Sequence, residues 1–177
     1  MPRISMRMPP GLGRYRRTAV GAILILLFMI IALLRPILVP YLHTAREDVI
    51  VAKVIDGDTI VLGDGRHVRY NCIDTPEMNA KSADTRRLAE EAKEFNANLV
   101  LGKPIRLEYD VDRTDKYGRT LAYVWVGDEM VNAKLVEAGL ARAKSYGGRN
   151  HLWWTKIQSL ETEAKATHRG IWAKETE

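Results

Sequence analysis

The chain has 177 residues, a length that suits one compact domain with a short appendage and excludes two full domains. Of these residues 46% are hydrophobic and 28% are charged. The net charge of +5 is unevenly spread, because residues 1–42 contain six arginines and no acidic residue, whereas the other 135 residues contain 21 basic and 22 acidic ones. The basic composition therefore does not indicate that the folded part binds a polyanion. The single cysteine, Cys72, excludes a disulfide framework or a cysteine-based zinc site within one chain.

A long apolar segment near the N-terminus predicts a membrane anchor. Residues 18–34 carry no charge, and apolar residues continue after Arg35, whose side chain can extend to the membrane surface. Span 18–39 is therefore long enough for a helix to cross a hydrocarbon core of about 30 Å. The alternatives are a cleaved signal peptide, although no good cleavage site follows closely, and a buried core helix.

The charges around this segment predict its orientation. The arginines of residues 1–17 precede it, whereas the linker 40–47 after it is mixed in charge. By the positive-inside rule, residues 1–17 form a basic cytoplasmic tail and the following domain lies outside the cytoplasm. We therefore predict a single-pass protein of the cell membrane with an extracytoplasmic domain, or a secreted protein if the segment is cleaved.

Five short strands and three helices are predicted after residue 48. Runs of β-branched and aromatic residues bounded by Asp and Gly predict the strands, and apolar residues at helical spacing predict the helices. The predicted strands are residues 49–55, 59–62, 67–73, 105–109 and 120–126. The first predicted helix buries Leu88, Ala92, Phe95 and Leu99. The second runs from an N-cap at Asn132 to Gly139. The third buries Trp153, Ile157, Leu160 and Ala164 and ends at Gly170.

This order of elements is typical of a small Greek-key barrel of the OB type. We predict an α+β fold in which a five-stranded OB-type β-barrel with three helices is preceded by one N-terminal transmembrane helix. Composition alone leaves another α+β fold open.

Acidic residues and arginines are concentrated in three short segments at predicted strand ends. They are residues 56–59 (DGDT), 68–77 (VRYNCIDTPE) and 113–119 (RTDKYGR). Phosphodiester hydrolysis needs these residue types, because negative charge gathers on the phosphoryl oxygens in its transition state. Taken singly, however, each segment also fits an ordinary turn or the start of a helix.

Oxygen ligands for a hard divalent cation are present in the first two segments. Asp58 and Asp74 are suitable carboxylates for calcium, and the backbone carbonyl of Thr75 could join them. Water and a phosphate oxygen of the substrate would complete the coordination of the ion.

A base and two donors for phosphate are also present. Glu77 follows a proline-stiffened turn and could orient the attacking water. Arg69 and Arg119 offer planar guanidinium groups, which match the geometry of a phosphate better than a lysine does.

Together, the three segments in this order and with these spacings closely resemble the staphylococcal nuclease (thermonuclease) family. The resemblance covers nearly the whole predicted domain, residues 48–173, and includes Met130-Val131-Asn132, Gly139-Leu140-Ala141 and Gly170-Ile171-Trp172. It implies an OB-type barrel with three helices. It also implies a calcium-dependent endonuclease that hydrolyses DNA and RNA, single-stranded or frayed, to products with a 3′-phosphate.

The resemblance implies roles for two sets of residues. The set at the ion comprises the ligands Asp58, Asp74 and the Thr75 carbonyl, with Asp56 acting through water. The set at the substrate comprises Glu77 as general base, Arg69 and Arg119 as phosphate-binding arginines, and Lys116 and Tyr117 as contacts to nucleotide phosphate.

One departure from the family's pattern concerns base binding. The family often has an aromatic residue after the second helix, where a base can stack, and Tyr146 is displaced from this place by one position. Lys144 and Arg149 could compensate by contacting backbone phosphates. The alternative functions are a catalytically silent binding module of the same fold and a membrane scaffold. A silent relative would be expected to lose the carboxylates or arginines that this chain retains.

Overall fold

The computed structural model describes residues 21, 23–34, 46–145 and 152–173, in two units that divide between Leu42 and His43. The strands of the second unit are β1 (Arg46–Val54), β2 (Thr59–Leu62), β3 (His67–Tyr70), β4 (Ile73–Asp74), β5 (Pro104–Glu108), β6 (Thr120–Val126), β7 (Glu129–Met130) and β8 (Arg142–Ala143). Its helices are α1 (Ala83–Val100), α2 (Val131–Glu137) and α3 (Trp154–Ala166), followed by a 3-10 helix at Gly170–Trp172.

In the first unit, residues 21 and 23–34 are helical, and the large apolar side chains between residues 23 and 34 are exposed. Within the described part of the chain, no helix has both the length and the apolar character needed to span a bilayer. The predicted span 18–39 extends beyond the described residues at both ends. The predicted tail 1–17, most of the linker 40–47 and Tyr146 lie outside them.

Five strands of the second unit close into a barrel. The strand order is β3-β2-β1-β5-β6, and β6 pairs in parallel with β3 to complete the ring. The first half of β1 pairs with β5 and its second half with β2, across an irregularity between Val51 and Lys53 that lets the strand bend. This closed arrangement confirms the predicted five-stranded OB-type α+β fold.

Helix α1 buries a face that is displaced from the predicted one. Ala89, Asn96 and Val100 are fully buried together with the predicted Ala92, whereas the larger predicted side chains are only partly buried. Small side chains allow the helix to pack closely against its neighbours, which apolar spacing alone does not indicate.

The prediction that Asn132 caps the second helix is wrong. Helix α2 begins at Val131, and Met130 occupies the N-cap position without a side-chain hydrogen bond. Asn132 is fully buried: its Oδ1 accepts from the backbone N–H of Val124 and its Nδ2 donates to the carbonyl of Asn71, each at 2.9 Å. Asn132 therefore ties α2 both to β6 and to the segment that follows β3.

The predicted strand 67–73 is interrupted. Strand β3 ends at Tyr70, and Cys72 has a φ of 63°, in the left-handed region that L-residues rarely adopt. The chain turns here, and β4 pairs with β8 instead of continuing in the barrel. This turn therefore sets the position of the acidic residues that follow β3 in the sequence.

The described residues of the second unit form one more helical segment than the three helices predicted. Helix α3 ends at Ala166, and Gly170 begins the 3-10 helix where the sequence predicted the end of the third helix. Trp172 in this segment is buried, and the guanidinium of Arg142 and the ammonium of Lys165 lie 4.1 and 4.4 Å from the centre of its ring. These cation–π contacts hold the last described segment against β8 and α3.

The close contact between Gly139 and the 3-10 helix predicts a large cost for a side chain at this position. Gly139 has a φ of 72°, and a Cβ there would overlap the backbone carbonyl of Arg169. Gly139→Ala should lower the free energy of unfolding by more than about 2 kcal/mol, because the strained φ and the overlap add. Gly127→Ala is the control, since its φ is also positive but an added Cβ meets nothing within 4 Å. It should cost only about 1 kcal/mol in denaturant unfolding, and equal losses in the two variants would contradict this account.

Candidate active site

The turn between β1 and β2 buries one of its two aspartates. Asp56 begins the turn, and its Oδ1 accepts a hydrogen bond from the backbone N–H of Asp58 at 3.0 Å. Asp58 is only 5% exposed. Its Oδ2 accepts from the backbone N–H and the hydroxyl of Thr75, at 2.8 and 3.0 Å. These two bonds connect the turn to the segment directly after β4.

Gly57 permits this close approach. A Cβ at this position would lie 2.7 Å from Cγ2 of Thr75 and 2.8 Å from Cβ of Ala92 on α1, too close for a side chain without rearrangement. The glycine therefore serves the contact between the turn and Thr75, in addition to the tight turn that the sequence predicts.

A single guanidinium group joins the two predicted metal-binding carboxylates. Nε of Arg69 lies 3.1 Å from Oδ1 of Asp58, and Nη2 lies 2.9 Å from Oδ1 of Asp74. Nη1 donates to the carbonyl of Tyr70 at 2.7 Å. The side chain of Arg69 is only 7% exposed, and these charge-assisted contacts hold the group in one orientation.

The predicted substrate-binding residues line one open cavity of about 570 Å³. The predicted residues on its wall are Arg69, Glu77, Lys116, Tyr117 and Arg119. Asp58 and Asp74 are connected to this wall through Arg69. Arg69 therefore joins the carboxylates predicted to bind the ion to the residues predicted to bind the substrate.

Asp115, which was not predicted from the sequence, organises the turn that carries Arg119. Its Oδ1 accepts from the backbone N–H groups of Tyr117 and Arg119, each at 2.9 Å, and its Oδ2 accepts from Nε of Arg119 at 2.7 Å. Burial acts to raise the pKa of Asp115, but the hydrogen bonds from Arg119 and Tyr117 and the charge of Arg119 together outweigh it and keep that pKa below its ordinary value. An aspartate three residues before a glycine in a turn is the sequence signal that could have indicated this role.

Tyr117 presents an aromatic ring at the cavity. It is 72% exposed, and the cationic groups of Lys116 and Arg119 lie 5.0 and 5.6 Å from the centre of the ring. An exposed ring beside two cations is a surface that can contact both a base and a phosphate.

Asn96 of α1, also missed in the sequence, supports the turn at Asp56. Its Nδ2 donates to the carbonyl of Asp56 at 3.2 Å, and its Oδ1 accepts from the hydroxyl of Tyr70 at 2.9 Å. Asn96 is fully buried. In the sequence, Asn96 is a polar residue among apolar residues at helical spacing, and such a position is easily taken for an exposed one.

The oxygen donors at the site suit a hard cation. Within the described residues, no group of three or more His, Cys, Asp or Glu could by itself hold a metal ion. The donors that do meet are the carboxylates of Asp58 and Asp74, which one guanidinium bridges, with Thr75 bonded to Asp58. Carboxylate oxygens are the ligands that a hard divalent cation prefers, and water and substrate oxygens would complete its coordination. Burial raises the pKa of Asp58 to about 6, although Arg69 acts to lower it.

Comparison with known proteins identifies the family. Residues 67–174 match the family described as staphylococcal nuclease homologue, and the thermonuclease of Staphylococcus intermedius is 41% identical over 131 residues, which are 72% of this chain and 77% of that protein. The chain belongs to the staphylococcal nuclease family. It is therefore a nuclease, a hydrolase.

Two further relatives of this nuclease extend the comparison. The thermonuclease of Staphylococcus hyicus is 40% identical over 126 residues, which are 70% of this chain and 74% of that protein. The endonuclease YncB of Bacillus subtilis is 38% identical over 131 residues, which are 72% of this chain and 62% of that protein. The family match begins at His67, after Asp56 and Asp58, so it includes Arg69 but not the first acidic segment.

The buried carboxyl group of Asp58 predicts that the stability of the metal-free nuclease depends on pH. Its pKa of about 6 in the folded chain exceeds the value of about 3.9 expected in the unfolded chain, so the folded state binds the proton more tightly. The resulting stabilisation is complete below pH about 4 and is lost as the pH rises through about 6. As the pH rises between these two values, the free energy of unfolding of the parent should fall by up to about 3 kcal/mol relative to that of Asp58→Asn. Urea unfolding in the presence of a chelator measures both. Parallel pH profiles of the two proteins would contradict this assignment.

Proposed function

We propose that this nuclease is a calcium-dependent endonuclease that hydrolyses the phosphodiester bonds of DNA and RNA to products with a 3′-phosphate. The observation that carries the proposal is the position of Arg69, which contacts both Asp58 and Asp74 and lines the same cavity as Glu77 and Arg119. Oxygen ligands, a carboxylate at the cavity and two guanidinium groups are the components that phosphodiester hydrolysis requires.

The ion would be held by Asp58, Asp74 and the carbonyl of Thr75, with Asp56 acting through water. When bound, calcium supplies positive charge to the oxygens of the phosphodiester. Asp58 keeps its side chain oriented for this task through its bonds to Thr75. Arg69 holds the two carboxylates together before an ion arrives.

Glu77 acts as the general base. Its side chain is exposed and lines the cavity, where the carboxylate accepts a proton from a water molecule as that water attacks phosphorus. As the water oxygen bonds to phosphorus, the bond from phosphorus to the 5′ oxygen breaks. The 5′ oxygen takes up a proton and leaves as a hydroxyl, and the phosphate remains on the 3′ oxygen.

Arg69 and Arg119 stabilise the phosphoryl group. Negative charge grows on its oxygens in the transition state, and the two guanidinium groups donate hydrogen bonds to them. Asp115 holds the Nε edge of Arg119, and the carbonyl of Tyr70 holds Arg69, so both groups are oriented before the substrate binds.

Lys116 and Tyr117 bind the nucleic acid beside the bond that is cut. The exposed ring of Tyr117 is accessible to an unpaired base, and the ammonium of Lys116 to a phosphate. An exposed ring at an open cavity favours single-stranded or frayed DNA and RNA over a closed duplex, in which the bases are stacked.

Glu77→Gln distinguishes the proposed enzyme from a binding module of the same fold. Because the amide cannot accept the proton, turnover should fall by at least about 100-fold, while binding of an oligonucleotide persists. Glu90→Gln, at an exposed position on α1, is the matched control and should cleave like the parent. A chelator should stop cleavage by the full-length parent, and added calcium should restore it. Turnover of Glu77→Gln at the parental rate would contradict the role as base, and cleavage in chelator would contradict calcium dependence.

We further propose that segment 18–39 anchors the nuclease in the cell membrane with its domain outside the cytoplasm. The uncharged residues 18–34 and the preceding arginines support this orientation. A phosphatase reporter that is active only outside the cytoplasm, fused after residue 45, should be active in the membrane fraction. A silent reporter would exclude this orientation, and an active reporter released into the medium would indicate a cleaved signal.

A further inference from the structure

Both oxygens of the Asp74 carboxylate contact a cation. Oδ1 lies 2.9 Å from Nη2 of Arg69, and Oδ2 lies 2.8 Å from Nζ of Lys144. Lys144 also lines the cavity that contains Glu77 and Arg119. It has no place in the reaction described above, although it touches a residue proposed to hold the ion.

The backbone holds Lys144 in position beside Asp74. Strands β4 and β8 pair in antiparallel fashion, with Asp74 opposite Arg142. Lys144 lies two residues beyond Arg142, which makes it a diagonal neighbour of Asp74 across the two strands. Its backbone N–H donates to the carbonyl of Cys72 at 2.9 Å, which maintains this register.

The other proposed carboxylate ligand has a different environment. Oδ2 of Asp58 accepts hydrogen bonds from the backbone N–H and the hydroxyl of Thr75, which are neutral donors. The oxygen of Asp74 that does not contact Arg69 is bound instead by a full positive charge. The contact with Lys144 therefore acts on one ligand of the ion, and it does so through charge.

We infer that Lys144 is a built-in counter-ion of Asp74 that competes with calcium and lowers the calcium affinity of the site, an inference that rests on the proposed calcium site. An ammonium group is a compact charge that compensates the carboxylate when no ion is bound. Ligation of calcium by Asp74 weakens or displaces this contact and brings a second positive charge close to the first. Because the side chains of Lys144 and Asp74 are 48% and 26% exposed, solvent screens the competition and its effect is moderate.

Calorimetric titration of calcium into the full-length chain tests the inference without measuring activity. Lys144→Met keeps the apolar stem and removes the charge, and it should lower the Kd for calcium by roughly three- to tenfold. Lys144→Gln should have the same effect, so that a folding defect in one variant does not decide the result. Lys144→Arg keeps the charge and should stay within about twofold of the parent. Lys134→Met is the matched control, because it removes another ion-paired lysine, 3.0 Å from Glu129, that is not part of the cavity wall.

The outcomes separate this inference from the calcium site on which it rests. If Lys144→Met and Lys144→Gln both bind calcium no more tightly than the parent, the role of Lys144 is overturned and the calcium site is left intact. Absence of calcium binding by the parent, or a parental Kd in Asp74→Asn, overturns the site and the inference together. Added sodium chloride should reduce the difference between Lys144→Met and the parent, because the pair is partly exposed. A difference that does not change with salt would indicate packing and would also overturn the role assigned to the charge.

Discussion

The geometry of the site depends on the contact of one buried guanidinium with two carboxylates. Asp58 is nearly excluded from water, and the charge of Arg69, which also contacts Asp74, partly offsets the cost of burying its carboxylate. Each of the three comes from a different element: Arg69 from β3, Asp58 from the turn before β2, and Asp74 from β4. Breaking such a buried ion pair costs about 3–5 kcal/mol, because a charge is left without its partner. The contact therefore depends on the closed barrel, which brings these three elements together.

Polar and small residues inside the fold direct these elements. The left-handed Cys72 turns β4 out of the barrel, and Asn132 fixes the carbonyl of Asn71 next to that turn. Asn96 fixes the backbone at Asp56, and Gly57 leaves space for Thr75. None of these residues is proposed to touch the substrate. They determine where the carboxylates lie, which for a site of this kind is as consequential as the identity of the ligands.

The charge of the cavity differs from the charge of the domain around it. After residue 42 the acidic and basic residues almost balance, yet the cavity wall carries four cationic side chains. They are Arg69, Lys116, Arg119 and Lys144. The same wall carries three acidic residues, Glu77, Asp112 and Asp115, and Asp115 is bonded to Arg119. Asp74, which is not part of the wall, is bonded to two of the cations. A polyanion responds to this local arrangement of charge, so net charge alone would misjudge the surface.

The sequence by itself determined the strands of the barrel and the residues eligible for the site. Residues 59–62 and 120–126 match β2 and β6, because alternation and turn residues act locally. It did not determine the break at Cys72, since the surrounding residues read as one continuous strand. It also did not distinguish the buried Asn132 from an N-cap, since both are short polar residues before an apolar run. Lys144 and Asp74 are 70 residues apart, and only the tertiary structure decided that they meet. The physical reason is that buried hydrogen bonds and ion pairs join distant segments, and local spacing contains no information about which segments come together.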